Sequence, residues 1–458
     1  MDERMEQDGG GGARVGRIRL AGFAAGDLAF NLYWQSAILY LLFYYTDALG
    51  LRVETAATIY LVASVWDGLV SFAVGVLVDR RGAAADHRRV LIVGAMPLGL
   101  AFCAAYAPPP LTGRGAEIAV LAGHLVFRTA YALVNIPYLA MSARVSANSR
   151  DRAFVAGLRM LAGTAAAVLV ALGTVPLGGA VMGVAGGPRA FLGAALLFAG
   201  IASVVLILVG WTFRDALVCA DAPPAPRPRL SVALAGVARN RAFTTLAAAM
   251  MAMVVATSVL NKSVLYYFKY VFGDQAAGQL ALGAMMAVSA AAVPAWMIVA
   301  RGIGVRRLWF AAIALCSVGL AVFALADLPR AGAMQLFLVG MQAATVGLHF
   351  AFWAMLPDVI DHGERTGGVR AEGIVFGIVA LLQRVAIGIA TLLIGVSFGE
   401  AGYVANVAQT PATLAAMRMT IALVPLAGFV LSGLLMMLSP MRAERRAAPR
   451  PPREADGT

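Results

Sequence analysis

YLVASVWDGLVSFAVGVLV, residues Tyr60 to Val78, is apolar almost throughout. It is long enough to cross a bilayer, which takes about 20 residues of α-helix. Near its middle stands one ionisable residue, Asp67, directly after Trp66. A carboxylate at that depth costs about 2.5–3.5 kcal/mol on insertion scales. Two readings account for it. Either the carboxylate serves an ion or proton path, or a basic residue on another helix neutralises it.

The rest of the chain repeats the pattern. Of 458 residues 61% are hydrophobic and 13% charged, against about 25% charged in a soluble globular chain. The chain therefore reads as a polytopic membrane protein. Spans are expected near 20–46, 55–78, 90–107, 117–141, 154–185, 189–212, 242–272, 277–300, 307–326, 331–357, 373–398 and 412–439. The fold class is all-α, twelve spans in two six-helix bundles. These cover 20–212 and 242–439 and flank an extended Pro- and Arg-rich linker at 213–241. Residues 1–19 read as a cytosolic tail rather than a signal peptide, because the apolar segment that follows is too long and lacks a cleavage pattern. Residues 440–458 read as a disordered cytosolic tail.

The net charge is +12. In a soluble protein that would raise nucleic acid as a partner. Here the arginines sit between spans, with Arg80, Arg81, Arg88, Arg89, Arg301, Arg306 and Arg307 on one side. The opposite loops hold only Arg52, Arg114, Arg189 and Arg330. This is the positive-inside bias, and it puts both termini in the cytosol. The partner is the lipid bilayer, with no nucleic acid. Three scattered cysteines, Cys103, Cys219 and Cys316, give neither a disulfide framework nor a metal spacing.

Polar residues inside the spans are the candidate site. Asp27 and Asn31 share a face of the first span, where Asp27 is either an acceptor for a polar substrate or a partner for a base elsewhere. Arg128 and Asn135 lie two turns apart on the fourth, and Asn135 offers both the donors and the acceptor that a sugar hydroxyl needs. His124, toward the outer end of that face, reads as interfacial. Arg159 lies in the fifth span, Lys262 and Lys269 in the seventh, and Arg384 in the eleventh. Lys269 is close enough to the span's end to snorkel. The deep bases Arg128, Arg159, Lys262 and Arg384 outnumber the deep acids Asp27 and Asp67, which points to an anionic or partly anionic substrate. At the end of the tenth span Asp358, Asp361 and Glu364 recur every three residues. They form either a solvated acidic end or a cytosolic gate closed by Arg144, Arg150, Arg152 and Arg370. Ion pairs near a surface contribute about 0–1 kcal/mol each, which suits a latch that opens. No phosphate loop, metal cluster or catalytic constellation is present in the sequence, so neither an enzyme nor a cofactor is expected.

Several segments resemble one family: LYLLFYYTDALGL (39–51), IYLVASVWDGL (59–69), YALVNIPYLAM (131–141), SRDRAFVAGLRM (149–160), LPDVIDHGERTGGVRAEG (356–373) and YVANVAQTP (403–411). Together they are similar to the glycoside–pentoside–hexuronide:cation symporters, the melibiose-permease-like branch of the major facilitator superfamily. The resemblance implies the major facilitator fold, a bacterial inner membrane, and alternating-access symport of a sugar or sugar acid. It also implies that the cation site is the Asp of the Trp-Asp pair, Asp67, with an Asn three residues later and a second Asp. Here Val70 and Ser71 stand in those places. Sodium wants several oxygen ligands, so the reduced site implies H+ coupling, or weakened coupling, rather than Na+. The family's sugar-binding positions fall on Asp27, Asn135, Arg159 and Arg384, although the spacing from Asp27 to the next Thr-Asp differs by about one turn. Arg128 and Lys262 are additions to the pattern. A lysolipid or organic anion as solute, and a non-transporting sensor, are the alternatives.

Overall fold

The computed structural model describes residues 17–81, 87–142, 149–212, 230–326, 328–367 and 372–440. Every regular element among them is helical. The long helices of the first half are α1 (Arg17–Leu39), α2 (Val53–Arg81), α3 (His87–Ala105), α4 (Arg114–Ser142), α5 (Ser149–Met182) and α6 (Pro188–Thr212). Those of the second are α7 (Arg241–Tyr267), α8 (Gln275–Ile303), α9 (Val305–Leu325), α10 (Ala331–Gly367), α11 (Glu372–Glu400) and α12 (Pro411–Met437). Eleven helices among the described residues are long and apolar enough to cross a membrane. The exception is α1, whose apolar run is broken by Asp27, Asn31 and Gln35. The chain is an integral membrane protein.

Two expectations change. The first span is not one continuous α-helix to residue 46. It breaks after Leu39, resumes over Leu41–Phe43 and ends in a π-helical turn, Tyr44–Ala48. Helix α7 ends likewise, in a π turn at Phe268–Phe272. Single π turns of this kind often mark functional sites. The linker is not wholly extended either, since Leu230–Arg239 forms a short helix. Asn240 follows it and starts α7, its Oδ1 accepting from the backbone N–H groups of Ala242 and Phe243 at 3.0 and 3.2 Å. Such a cap satisfies helix-end donors that nothing else reaches.

In the first half α1 packs on α5 and α6, α3 on α4 and α6, and α2 on α4. In the second α7 packs on α11 and α12, α10 on α8 and α9, and α9 on α12. The two groups meet chiefly along α2–α11 and α5–α8. The α2–α11 seam is lined by glycine. A Cβ on Gly388 would come 2.8 Å from Leu61, on Gly395 2.3 Å from Ala57, and on Gly399 2.2 Å from Glu54. From the other side, a Cβ on Gly68 would lie 2.4 Å from Leu381. Small residues let membrane helices approach to backbone contact. This brings Asp67 and Arg384 face to face across the seam.

Candidate functional site

Asp67 follows Trp66 and precedes Gly68, so the α-helical period turns it from lipid toward the seam. Its side chain is 1% exposed. Its Oδ2 accepts from Arg384 Nε at 2.8 Å and from Arg128 Nη1 at 3.3 Å. Ser71 donates to Oδ1 at 3.3 Å, one turn along the same helix. The carboxylate is thus held by one cation from each half of the chain. Both readings of Asp67 remain compatible with this. It is neutralised by bases on other helices, and it is the joint between the halves.

Arg128 bonds through all three of its nitrogens. Its Nε donates to His124 Nε2 at 3.1 Å, and its guanidinium stands 5.2 Å from the ring centre of Trp34. Arg384 stands 5.5 Å from the same ring on its own side. A ring face attracts cations, so Trp34 holds both guanidinium groups in place. His124 is not interfacial as its position suggested. It is wholly buried, packed against Tyr45 and Tyr60. Lys262 is buried too, with Nζ 3.8 Å from the centre of the Tyr60 ring and donating to the Ile38 carbonyl at 3.0 Å.

Asp27 forms a second cluster. Arg159 pairs with both its oxygens, and Tyr138 donates to Oδ2 at 2.7 Å. Asn31 is turned to the backbone and donates to the Asp27 carbonyl at 2.9 Å. Asn135 lies buried on α4 and, among the described residues, makes no hydrogen bond to either cluster. The structure therefore joins Asp67, Arg128 and Arg384, and separately Asp27 and Arg159. Lys262 stands beside the first group through Tyr60.

A third acid escaped the sequence reading. Asp47, in the π turn after α1, accepts from Lys269 Nζ at 2.6 Å, Tyr270 Oη at 2.5 Å and Tyr403 Oη at 2.9 Å. Lys269 does not snorkel free; it also donates to Asn406 Oδ1 at 2.7 Å. Asn406 Nδ2 in turn donates to the Asp47 carbonyl at 2.9 Å. Burial, and then the Asp47 carboxylate beside it, push the Tyr403 phenol well above its usual range, so it remains a donor. These bonds tie the end of α1 to the end of α7 and to the α11–α12 loop. Asp47 sits where an apolar run gives way to loop residues, so it reads as a surface residue until the fold brings Lys269 and Tyr403 to it.

The acidic face of α10 carries Asp358, Asp361 and Glu364 on continuous helix, because α10 runs ten residues beyond the expected end of its span. Its expected partners Arg144 and Arg370, and the side chains of Arg150 and Arg152, lie outside the described residues.

Comparison with known proteins fits this architecture. The family model described as MFS/sugar transport protein matches residues 22–443. The chain is 25% identical to a putative sulfoquinovose importer of Salmonella typhimurium, covering 90% of this chain and 87% of that one. It is 25% identical to the isoprimeverose transporter of Lactiplantibacillus pentosus, over 91% and 87%. Among solved structures, a D-xylose-proton symporter superposes with a TM-score of 0.66 at 15% identity, covering 92% of this chain and 96% of that one. That likeness bears on the fold. With the match spanning both halves, both ion-paired clusters and the seam between them, the chain belongs to the MFS/sugar transport protein family.

Proposed function

We propose that the protein is a secondary active transporter that carries a glycoside, pentoside or hexuronide together with a proton by alternating access. It would act in a bacterial inner membrane with both termini in the cytosol. The observation that carries the reading is Asp67, a carboxylate at the middle of a membrane helix shared by a cation from each half. Intramembrane carboxylates mark ion and proton paths, and one bridged across the seam couples occupancy to the relative position of the halves. Sodium is disfavoured because Ser71 is the one side-chain hydroxyl bonded to Asp67 among the described residues, and Val70 offers no oxygen. The similarity to proteins named as sugar carriers supports a sugar as solute. A lysolipid fits less well. The apolar cavity between α3 and α4, about 430 Å³, is lined by none of the clustered charges.

The test is uptake of labelled sugars into proteoliposomes. Accumulation should follow an imposed pH gradient and be indifferent to Na+. Asp67→Asn should abolish accumulation yet leave exchange of solute across the membrane. Sodium-stimulated uptake at fixed pH, lost in Asp67→Cys, would overturn proton coupling.

A further inference from the structure

Resting on the reading just given, we propose that the transported sugar is an anion, bearing a carboxylate or sulfonate, and that its charged group takes the place of Asp67 on Arg384. Guanidinium groups stay charged in proteins. Two of them here share a single carboxylate oxygen, and Lys262 beside them has no carboxylate partner among the described residues. Asp27 cannot serve, because Arg159 occupies it. The central cluster thus sets two guanidinium groups and the Lys262 amine against one carboxylate in a buried site.

The two arginines differ in what they have left to offer. Arg128 is 3% exposed; its Nε is bonded to His124 and its Nη2 reaches the Tyr60 hydroxyl at 3.5 Å. Arg384 is 12% exposed; beyond Asp67 its Nη1 makes a bond of 3.3 Å to the Ala380 carbonyl, and its Nη2 makes none among the described residues. The open edge of its fork is suited to a planar or trigonal oxyanion, which guanidinium binds through two parallel hydrogen bonds. Trp34 lies against it and fixes the direction in which the fork points.

Charge balance links the anion to the proton. The titratable groups around Asp67 are Tyr60 on its own helix, His124, Arg128 and Tyr131 on α4, Lys262 on α7 and Arg384 on α11. Protonating Asp67 releases Arg384 and opens its fork. An oxyanion then takes the freed guanidinium. Proton and anion together leave the cluster with the charge it has when empty. A proton with a neutral sugar would add one more positive charge to a buried site already rich in them. By linkage, proton and anion each tighten the binding of the other.

The experiment is counterflow in proteoliposomes with three labelled probes: a hexuronate, a sulfonated hexose and the matching neutral hexose. At least one anion should exchange about tenfold or more faster than the neutral sugar, as loss of a charged partner in a buried pair implies. Arg384→Gln should remove that preference and Arg384→Lys should keep part of it. Anion uptake driven by a pH gradient should not respond to a potassium diffusion potential. A neutral sugar exchanged as fast as the anions, with Arg384→Gln slowing all three alike, would overturn the anion proposal and leave sugar transport standing. Exchange of none of the three by the wild-type protein would overturn both.

Discussion

A Cβ placed on Gly26 would lie 2.6 to 2.9 Å from the ring and hydroxyl of Tyr138. The missing side chain is what lets Tyr138 reach the Asp27 carboxylate. Gly26→Ala should therefore push Tyr138 off Asp27 and raise the apparent KM for exchange. Tyr138→Phe should do the same, and the double variant should be no worse than either single one, because both remove one contact. Additive losses would show that Tyr138 does something else. Single residues also mark how far the sequence could be read. Asp67, Arg128, Lys262 and Arg384 stand out as charges in apolar runs, where bilayer energetics alone make them conspicuous. Trp34, Tyr138 and His124 do not. An aromatic ring in a span is ordinary packing until a cation is found on its face or a carboxylate at its hydroxyl. Those partners come from helices up to a hundred residues or more away.

At the level of helices, the presence of the spans was legible, while the ten-residue extension of α10 and the departures from regularity were not. Long apolar runs define the spans because each must bury its backbone polar groups within itself. The break at Tyr40 and the π turns at Tyr44–Ala48 and Phe268–Phe272 follow instead from what those turns must meet. Asp47, Lys269, Tyr270 and Tyr403 converge there, and the local sequence carries no Pro or Gly in either turn to announce it. The glycines of α11 were likewise uninformative among 49 in the chain. Their role is specific to the contact each makes. Gly388→Leu should slow transport and lower the melting temperature. Gly340→Ala, where nothing lies within 4 Å of the added carbon, should do neither. It should gain a little helix stability, up to about 1 kcal/mol. Thermal unfolding in detergent, read beside exchange rates, checks both. A Gly388→Leu protein as fast and as stable as wild type would refute close packing at the seam.

In the whole molecule the two halves touch along α2–α11, along α5–α8 and at the latch around Asp47, all closed in this state. Asp47→Asn should loosen the latch. A cysteine introduced by Phe43→Cys, beneath Lys269 and buried here, should then react several-fold faster with a membrane-impermeant maleimide in a protein whose native cysteines are replaced. Unchanged labelling would mean that other contacts hold that end shut. The seam itself has a mechanical consequence. Side chains that interdigitate act as gear teeth, and a helix can pass them only by lifting or by changing rotamers. Along α2 and α11 the teeth have been filed off on one side at Gly388, Gly395 and Gly399. The surface that remains is a plain bearing. At those three positions no side chain of α11 has to change rotamer when one half turns against the other, and the pair between Asp67 and Arg384 holds the two helices in the register seen here.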